Sequence, residues 1–159
     1  MYEDLGIRID RDGIWYYHGS PIRRKELLCL FASALQRDEE GRYWLITPHE
    51  MGPIDVEDAP FMAVELFVAG QGRERIVSFR TNVDEIVSVD DHHPLRVAID
   101  PSTHEPSPYV LLLGRREARL TRAVFYELVA LSEEREENGL TYLGVWSCGR
   151  FFALGSVDG

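Results

Sequence analysis

Basic side chains are scarce in this chain, 17 lysines and arginines against 27 aspartates and glutamates, so their clusters are the first places to look for chemistry. Residues 114–122 (GRREARLTR) hold four arginines and one glutamate, a local +3. Residues 21–26 (PIRRKE) hold two arginines, one lysine and one glutamate, a local +2. Both stretches precede or open a predicted helix, where positive side chains oppose the helix dipole unless something negative lies close by. Free backbone N–H groups combined with guanidinium forks are also how proteins hold phosphate or carboxylate. Two readings are open for Arg23, Arg24, Arg115, Arg119 and Arg122. They pair with Asp55, Glu57 and Asp58 and tie two halves of the chain together, or they face a cleft between the halves and receive an anion. Trp15, Tyr16, Tyr17 and His18 adjoin the first cluster. Strand alternation puts Trp15 and Tyr17 on one face and Tyr16 and His18 on the other. One face belongs to the core, and the other either packs or stacks on a nucleobase.

Residues 46–61 (ITPHEMGPIDVEDAPF) carry three prolines and one glycine among Thr47, His49, Glu50, Asp55, Glu57 and Asp58. A plain turn is satisfied by one or two Asn, Asp, Gly or Pro residues, and functional groups gather on irregular segments held by a rigid frame. The expectation is an irregular segment at the junction of two halves, with Thr47, Glu50 and Asp58 at a ligand. Asp55, Glu57 and Asp58 with a histidine also suit a metal-assisted hydrolase, against a plainer reading as a solvated or ion-paired cluster. Asp90-Asp91-His92-His93-Pro94 echoes a phosphoesterase signature, but that family's other spaced aspartates are not evident, and a metal needs three or four converging ligands. Cys29 and Cys148 fit no metal or redox spacing and are expected to be free, buried thiols. There is no Gly-x-Ser-x-Gly elbow and no phosphate loop. The expectation is therefore a non-enzymatic protein with no cofactor and no metal.

The formal net charge of −10 over 159 residues argues against a nucleic acid polymer or an acidic membrane as partner. No apolar run approaches the roughly 20 residues that cross a bilayer. The opening MYEDLGIRID lacks the basic start and apolar core of a secretory signal, so a cytoplasmic protein is expected.

The elements that must position these residues follow from pattern. Ile7 and Ile9, then residues 14–18 after an Asp/Gly turn, predict a β-hairpin. Ser20-Pro21 offers a cap and first-turn proline for a helix running through Gln36, with Leu27, Leu30, Phe31, Ala34 and Leu35 on one stripe. Residues 43–46 predict a strand. Residues 63–68, 75–79, 85–89 and 95–99 predict an antiparallel meander, and residues 109–113 a further strand. Thr121 caps a second helix with Val124, Phe125, Leu128 and Leu131 on one face, its acidic tail at 133–138 opposing the macrodipole. Residues 140–146 and 151–154 close the chain as a hairpin. Each helix starts at an arginine, Arg24 or Arg122, and is followed at equal separation by Gly41 or Gly139, then by Tyr43 and Trp44 or by Tyr142 and Trp146. That is a weak internal repeat.

The quoted runs DGIWYYHGSPIRRKELLCLFASAL, YWLITPHE and IDVEDAPF resemble the uncharacterised bacterial family called domain of unknown function 1285. The later runs FRTNVDE, HPLRVAI, REARLTRAVFYELV and LGVWSCGRFF extend that resemblance over nearly the whole chain. It implies a duplicated α+β core, a second half similar to pleckstrin-homology folds, a nucleotide-like ligand at the junction and a role in signalling. Any further C-terminal element would be missing here. The expected architecture is α+β, in two related halves at residues 1–60 and 61–159, each an antiparallel sheet with one main helix. The expected function is that of a binding protein or sensor for a small anionic, nucleotide-like ligand. Arg23, Arg24, Arg115, Arg119 and Arg122 would hold the anion, and Trp15, His18 or Trp146 the base. A metal-assisted hydrolase and an adaptor for a protein partner are the alternatives.

Overall fold

The computed structural model describes residues 4–157; residues 1–3, where the reading of the N-terminus begins, lie outside the described residues. Strands outweigh helices, of which there are two short α-helical ones among the described residues. In the first half, β1 (Ile7–Ile9), β2 (Trp15–Tyr17) and β3 (Ser20–Pro21) form one meander. Helix α1 (Lys25–Ser33) follows, then a second meander of β4 (Leu35–Arg37), β5 (Tyr43–Ile46) and β6 (Met51–Val56). The two meanders join as a six-stranded sheet, order β3-β2-β1-β6-β5-β4, with β1 and β6 parallel through Arg8–Asp55 and Ile9–Val56.

The second half opens with a meander of β7 (Phe61–Ala69), β8 (Ile76–Thr81) and β9 (Ile86–Ser88). The next meander is β10 (Leu95–Ile99), β11 (Pro106–Leu111) and β12 (Glu117–Leu120); β12 lies parallel to β7, giving a second six-stranded sheet, order β10-β11-β12-β7-β8-β9. Helix α2 (Arg122–Val129) then leads into a three-stranded sheet of β13 (Glu133–Glu137), β14 (Leu140–Ser147) and β15 (Arg150–Ser156).

The order meander–helix–meander occurs twice, as β1–β3, α1, β4–β6 and again as β10–β12, α2, β13–β15. In the first unit β6 runs beside β1, and in the second β15 lies against β10. Gly41 (φ 87°) and Gly139 (φ 80°) both turn the chain after the first strand that follows the helix. Trp44 donates its indole N–H to Asp38 (2.8 Å) and Trp146 donates to Glu133 (2.6 Å). The strand–helix–strand repeat read from Arg24 and Arg122 thus has a structural counterpart, with β7–β9 as an extra meander in the second half.

Several expectations are corrected. Helix α1 does not start at Ser20-Pro21. His18 (φ 48°) and Gly19 (φ 84°) make a two-residue hairpin turn that pairs Tyr17 with Ser20, and this commits Ser20–Pro21 to β3. The helix begins after Arg24, which offers no side-chain cap, and ends at Ser33, so Leu35 belongs to β4. Residues 46–61 are not irregular throughout, because Met51–Val56 is β6, an interior strand between a turn at 47–50 and a loop at 57–60. Pro53 is tolerated there because it opposes Trp44 beyond the stretch where β1 pairs, so its missing N–H removes no ladder bond on that side. The acidic run is not a helix tail. Asn138 (φ 52°) and Gly139 form another two-residue turn, and Glu133–Glu137 pairs along β14 as an edge strand. The sheets are not wholly antiparallel, since each six-stranded sheet contains one parallel pair. Cys148 is exposed in the turn between β14 and β15, not buried, while Cys29 is half-buried; both are free.

The second helix starts as predicted, with the Thr121 hydroxyl accepting the Val124 N–H. Thr121→Ala is expected to cost about 1 kcal/mol in urea denaturation. One continuous core runs through both halves, including Ile9, Leu45, Phe61, Phe79, Val110 and Leu128.

Candidate ligand-binding cleft

A row of residues crosses the second sheet in register: Arg96 of β10 opposes Tyr109 of β11, Tyr109 opposes Arg119 of β12, and Arg119 opposes Met62 of β7. Cross-strand neighbours share a face, so this row makes a floor. A cavity of about 500 Å³ opens over its Arg119–Met62 end. One wall is the first turn of α2, which presents Arg122, Phe125 and Tyr126 at one-turn spacing. Glu105, Pro106 and Pro108, at the start of β11, form another. The first half supplies Arg11 and Asp12 from the turn between β1 and β2, so the cavity lies at the junction of the halves.

That turn is tightly held. Asp10 Oδ1 accepts the N–H of Asp12 (2.9 Å) and of Ile14 (3.0 Å), and Glu57 Oε2 accepts the Arg11 N–H (3.1 Å). Gly13 (φ 78°) docks the turn onto the second half, where a Cβ would come within 2.6 Å of Met62 Cγ. A side chain at Gly13 would be strained in conformation and would push against a cleft wall.

Along this floor, charges of opposite sign cross between the halves. Arg119 Nη1 donates to Asp58 Oδ2 (2.9 Å), and the Tyr109 hydroxyl donates to Asp58 Oδ1 (2.5 Å). Burial first, and then the bond to the Asp58 carboxylate, push the Tyr109 phenol up to about 12. The Arg96 guanidinium lies 4.1 Å from the Tyr109 ring centre and binds Glu117 through Nε (2.7 Å) and Nη2 (2.9 Å). Glu117 also faces Arg37 of β4 at 3.6 Å.

Of the residues named from sequence, this arrangement brings together Arg119, Arg122 and Asp58. The inter-half pairing expected of the arginines is realised by Arg119 and Asp58. The others lie elsewhere. Arg23 and Arg24 are exposed between β3 and α1. Arg115 sits in the turn before β12 with its carbonyl accepting from Arg37 (2.9 Å). Trp15 is 1% exposed in the core, which leaves its face no access to a ligand. His18 packs its ring over Gly6 and against Tyr17. Thr47 and Glu50 close the β5–β6 turn on each other, Thr47 Oγ1 accepting the Glu50 N–H at 2.9 Å. Trp146 lies between the guanidinium groups of Arg73 (5.0 Å) and Arg135 (5.1 Å).

Asp90 to Pro94 is a turn in which Asp90 Oδ1 accepts the N–H of His92 (2.9 Å) and His93 (2.8 Å). Among the described residues no three His, Cys, Asp or Glu side chains gather as a metal ligand set, and Asp55, Glu57 and Asp58 do not converge. Arg11, Asp12, Glu105 and Tyr126 border the cleft but carry no motif. Their nearest signal was the Asp10 to Gly13 turn, which marks a bend without saying what it faces.

Two family profiles divide the chain: "Domain of unknown function (DUF1285), N-terminal domain" matches residues 1–59, and "Protein of unknown function (DUF1285), C-terminal domain" matches residues 60–154. The crystal structure of a DUF1285 family protein from Silicibacter pomeroyi DSS-3 is similar at 44% identity and a TM-score of 0.88, covering 98% of this chain and 82% of that one. A DUF1285 family protein from Shewanella baltica OS155 is similar at 27% identity and a TM-score of 0.61, covering 79% of this chain and 91% of that one. No curated protein matches the chain.

Proposed function

Because the chain belongs to the DUF1285 family, whose function is unknown, its role has to be read from its own cleft, and we propose that it is a non-enzymatic binding protein or sensor for a small ligand with an anionic group. The observation that carries this reading is that Arg11, Arg119 and Arg122 border one cavity of about 500 Å³ at the junction of the halves, in a chain of net charge −10. A cavity of that size suits a metabolite, and arginine is suited to phosphate or carboxylate. The first turn of α2 adds backbone N–H groups at its positive end. Among the described residues no histidine, cysteine or serine borders the cavity, and the Thr121 hydroxyl is occupied as a helix cap. Tyr126, 63% exposed at the rim, offers a ring on which a nucleotide-like ligand would stack. A signalling role and a pleckstrin-like second half belong to the same proposal; the latter adds no lipid site, since function lives in sites and not in folds.

A thermal-shift panel of nucleotides, phosphorylated metabolites and dicarboxylates tests the reading. A true ligand at 100 times its Kd adds roughly 2.7 kcal/mol of stability. Arg11→Ala combined with Arg122→Ala should abolish that shift while leaving the unliganded protein folded, because both side chains are exposed. A flat panel with folded protein overturns the reading.

The adaptor reading has one observation in its favour. Helix α1 buries only Ala32, while Leu30 is 65% and Leu27 37% exposed. A partner retained by the native chain and lost with Leu30→Glu would favour it; retention by both would count against α1 as the contact.

No helix among the described residues is long and apolar enough to cross a membrane.

A further inference from the structure

The cleft holds charges of both signs that do not satisfy one another. Arg119 is committed to Asp58 at 2.9 Å. Arg11 and Arg122, by contrast, engage no carboxylate through their guanidinium groups, and the carboxylates of Asp12 and Glu105 accept no hydrogen bond and meet no cation among the described residues. All four are exposed and border the same cavity. Once the Arg119–Asp58 pair is set aside, the cavity presents two positive and two negative side chains.

A ligand that is only an anion gains from the arginines and is repelled by the carboxylates, with comparable magnitudes at comparable distances. A ligand carrying an acidic group at one end and a protonated amine at the other gains from both. The backbone of the turn bearing Arg11 and Asp12 is fixed by Asp10, Glu57 and Gly13, so only their side chains remain to be ordered by a ligand. Glu105, just before β11, and Arg122, in the first turn of α2, line the same cavity.

We propose that the cleft selects a zwitterion, a small amino-phosphate or amino acid. Arg11 and Arg122 hold its acidic group, and Glu105 with Asp12 holds its ammonium group. This rests on the reading of the cleft as an anion site and adds the second charge to the ligand.

The test uses probes matched in size, titrated calorimetrically into the whole chain: phosphoethanolamine against ethyl phosphate, and γ-aminobutyrate against butyrate. The amine-bearing member of at least one pair should bind tenfold or more tightly than its partner. Glu105→Gln and Asp12→Asn together should erase that difference without weakening the plain anion, and a merely structural role for the two acids would not produce this pattern. Circular dichroism checks that the variant is folded. Equal binding within each pair overturns the zwitterion while the anion site stands. Absence of binding by every probe overturns both.

Discussion

Trp15→Ala is expected to cost about 3–5 kcal/mol, a large part of the 5–15 kcal/mol that holds an ordinary domain together. Trp15 belongs to β2 of the first half, but its ring is packed on Phe61 at 6.0 Å between centroids, and its indole N–H donates to the Pro60 carbonyl at 2.8 Å. Both of these partners are buried at the entry to the second half. The loss is therefore felt on both sides of the junction. Urea denaturation followed by far-ultraviolet circular dichroism should still show a single transition, shifted to lower urea. Trp15→Phe separates the two contributions. It keeps much of the ring packing but leaves the Pro60 carbonyl without its donor, at about 1–3 kcal/mol. A Trp15→Ala variant that melts in two steps, with the second half untouched, would show that the halves fold independently and that the shared core is not what couples them.

Asp58→Ala should be the second costly change, at about 2–3 kcal/mol, since it strips an acceptor from both Arg119 and the Tyr109 hydroxyl in a half-buried site. It also changes behaviour in alkali, with a sign that follows from Tyr109. Below pH 10, its ordinary ionisation, Tyr109 keeps its proton whether the chain is folded or not. Between pH 10 and about 12 the unfolded chain releases that proton while the folded one retains it, so unfolding is favoured and stability falls through this window. Removing Asp58 takes away the hydrogen bond and the neighbouring negative charge but leaves burial, the larger cause, in place. Tyr109 in Asp58→Ala should therefore ionise below about 12 yet above 10. Phenolate absorbance of native, Asp58→Ala and Tyr109→Phe proteins isolates this residue. A titration unchanged by Asp58→Ala would mean that the Tyr109–Asp58 bond is not maintained in solution. The same variant frees the Arg119 guanidinium over the cleft floor, so it should tighten, not weaken, the binding of a plain anion such as ethyl phosphate.

Much of the fold was legible residue by residue. Ile7 and Ile9 alternate with charged neighbours and are buried as that alternation requires. Tyr43–Ile46 and Leu95–Ile99 form strands with the expected bounds, and Thr121 caps its helix through its own hydroxyl. The repeat spaced from Arg24 and Arg122 recurs as matched turns at Gly41 and Gly139 and as matched indole–carboxylate bonds at Trp44 and Trp146. Besides β3 and β4, both read as parts of the first helix, three elements were misread for physical reasons. Met51–Val56 carries a proline that is harmless only because of where β1 stops pairing. Glu133–Glu137 has the composition of a frayed helix end, and its strand character comes from β14 and the Asn138-Gly139 turn. Glu117–Leu120 was not read as a strand, because its arginine belonged to a basic cluster read as preceding or opening the second helix.

The amino-acid order alone settled those properties that a few neighbouring residues decide among themselves: the alternation of Ile7 and Ile9, the hairpins at residues 10–13 and 147–150, the second helix's cap, the spacing of the repeat and family membership. It also singled out Arg119, Arg122 and Asp58 among the charged groups worth following. Which of the arginines share a cavity was decided only in three dimensions. Arg119 meets Met62 through the parallel register of β12 on β7, and Arg11 arrives because Gly13 lets a distant turn sit on Met62. Pairings of that kind join segments far apart in the chain, and their energies depend on the fit of two surfaces, which no local pattern of residues encodes.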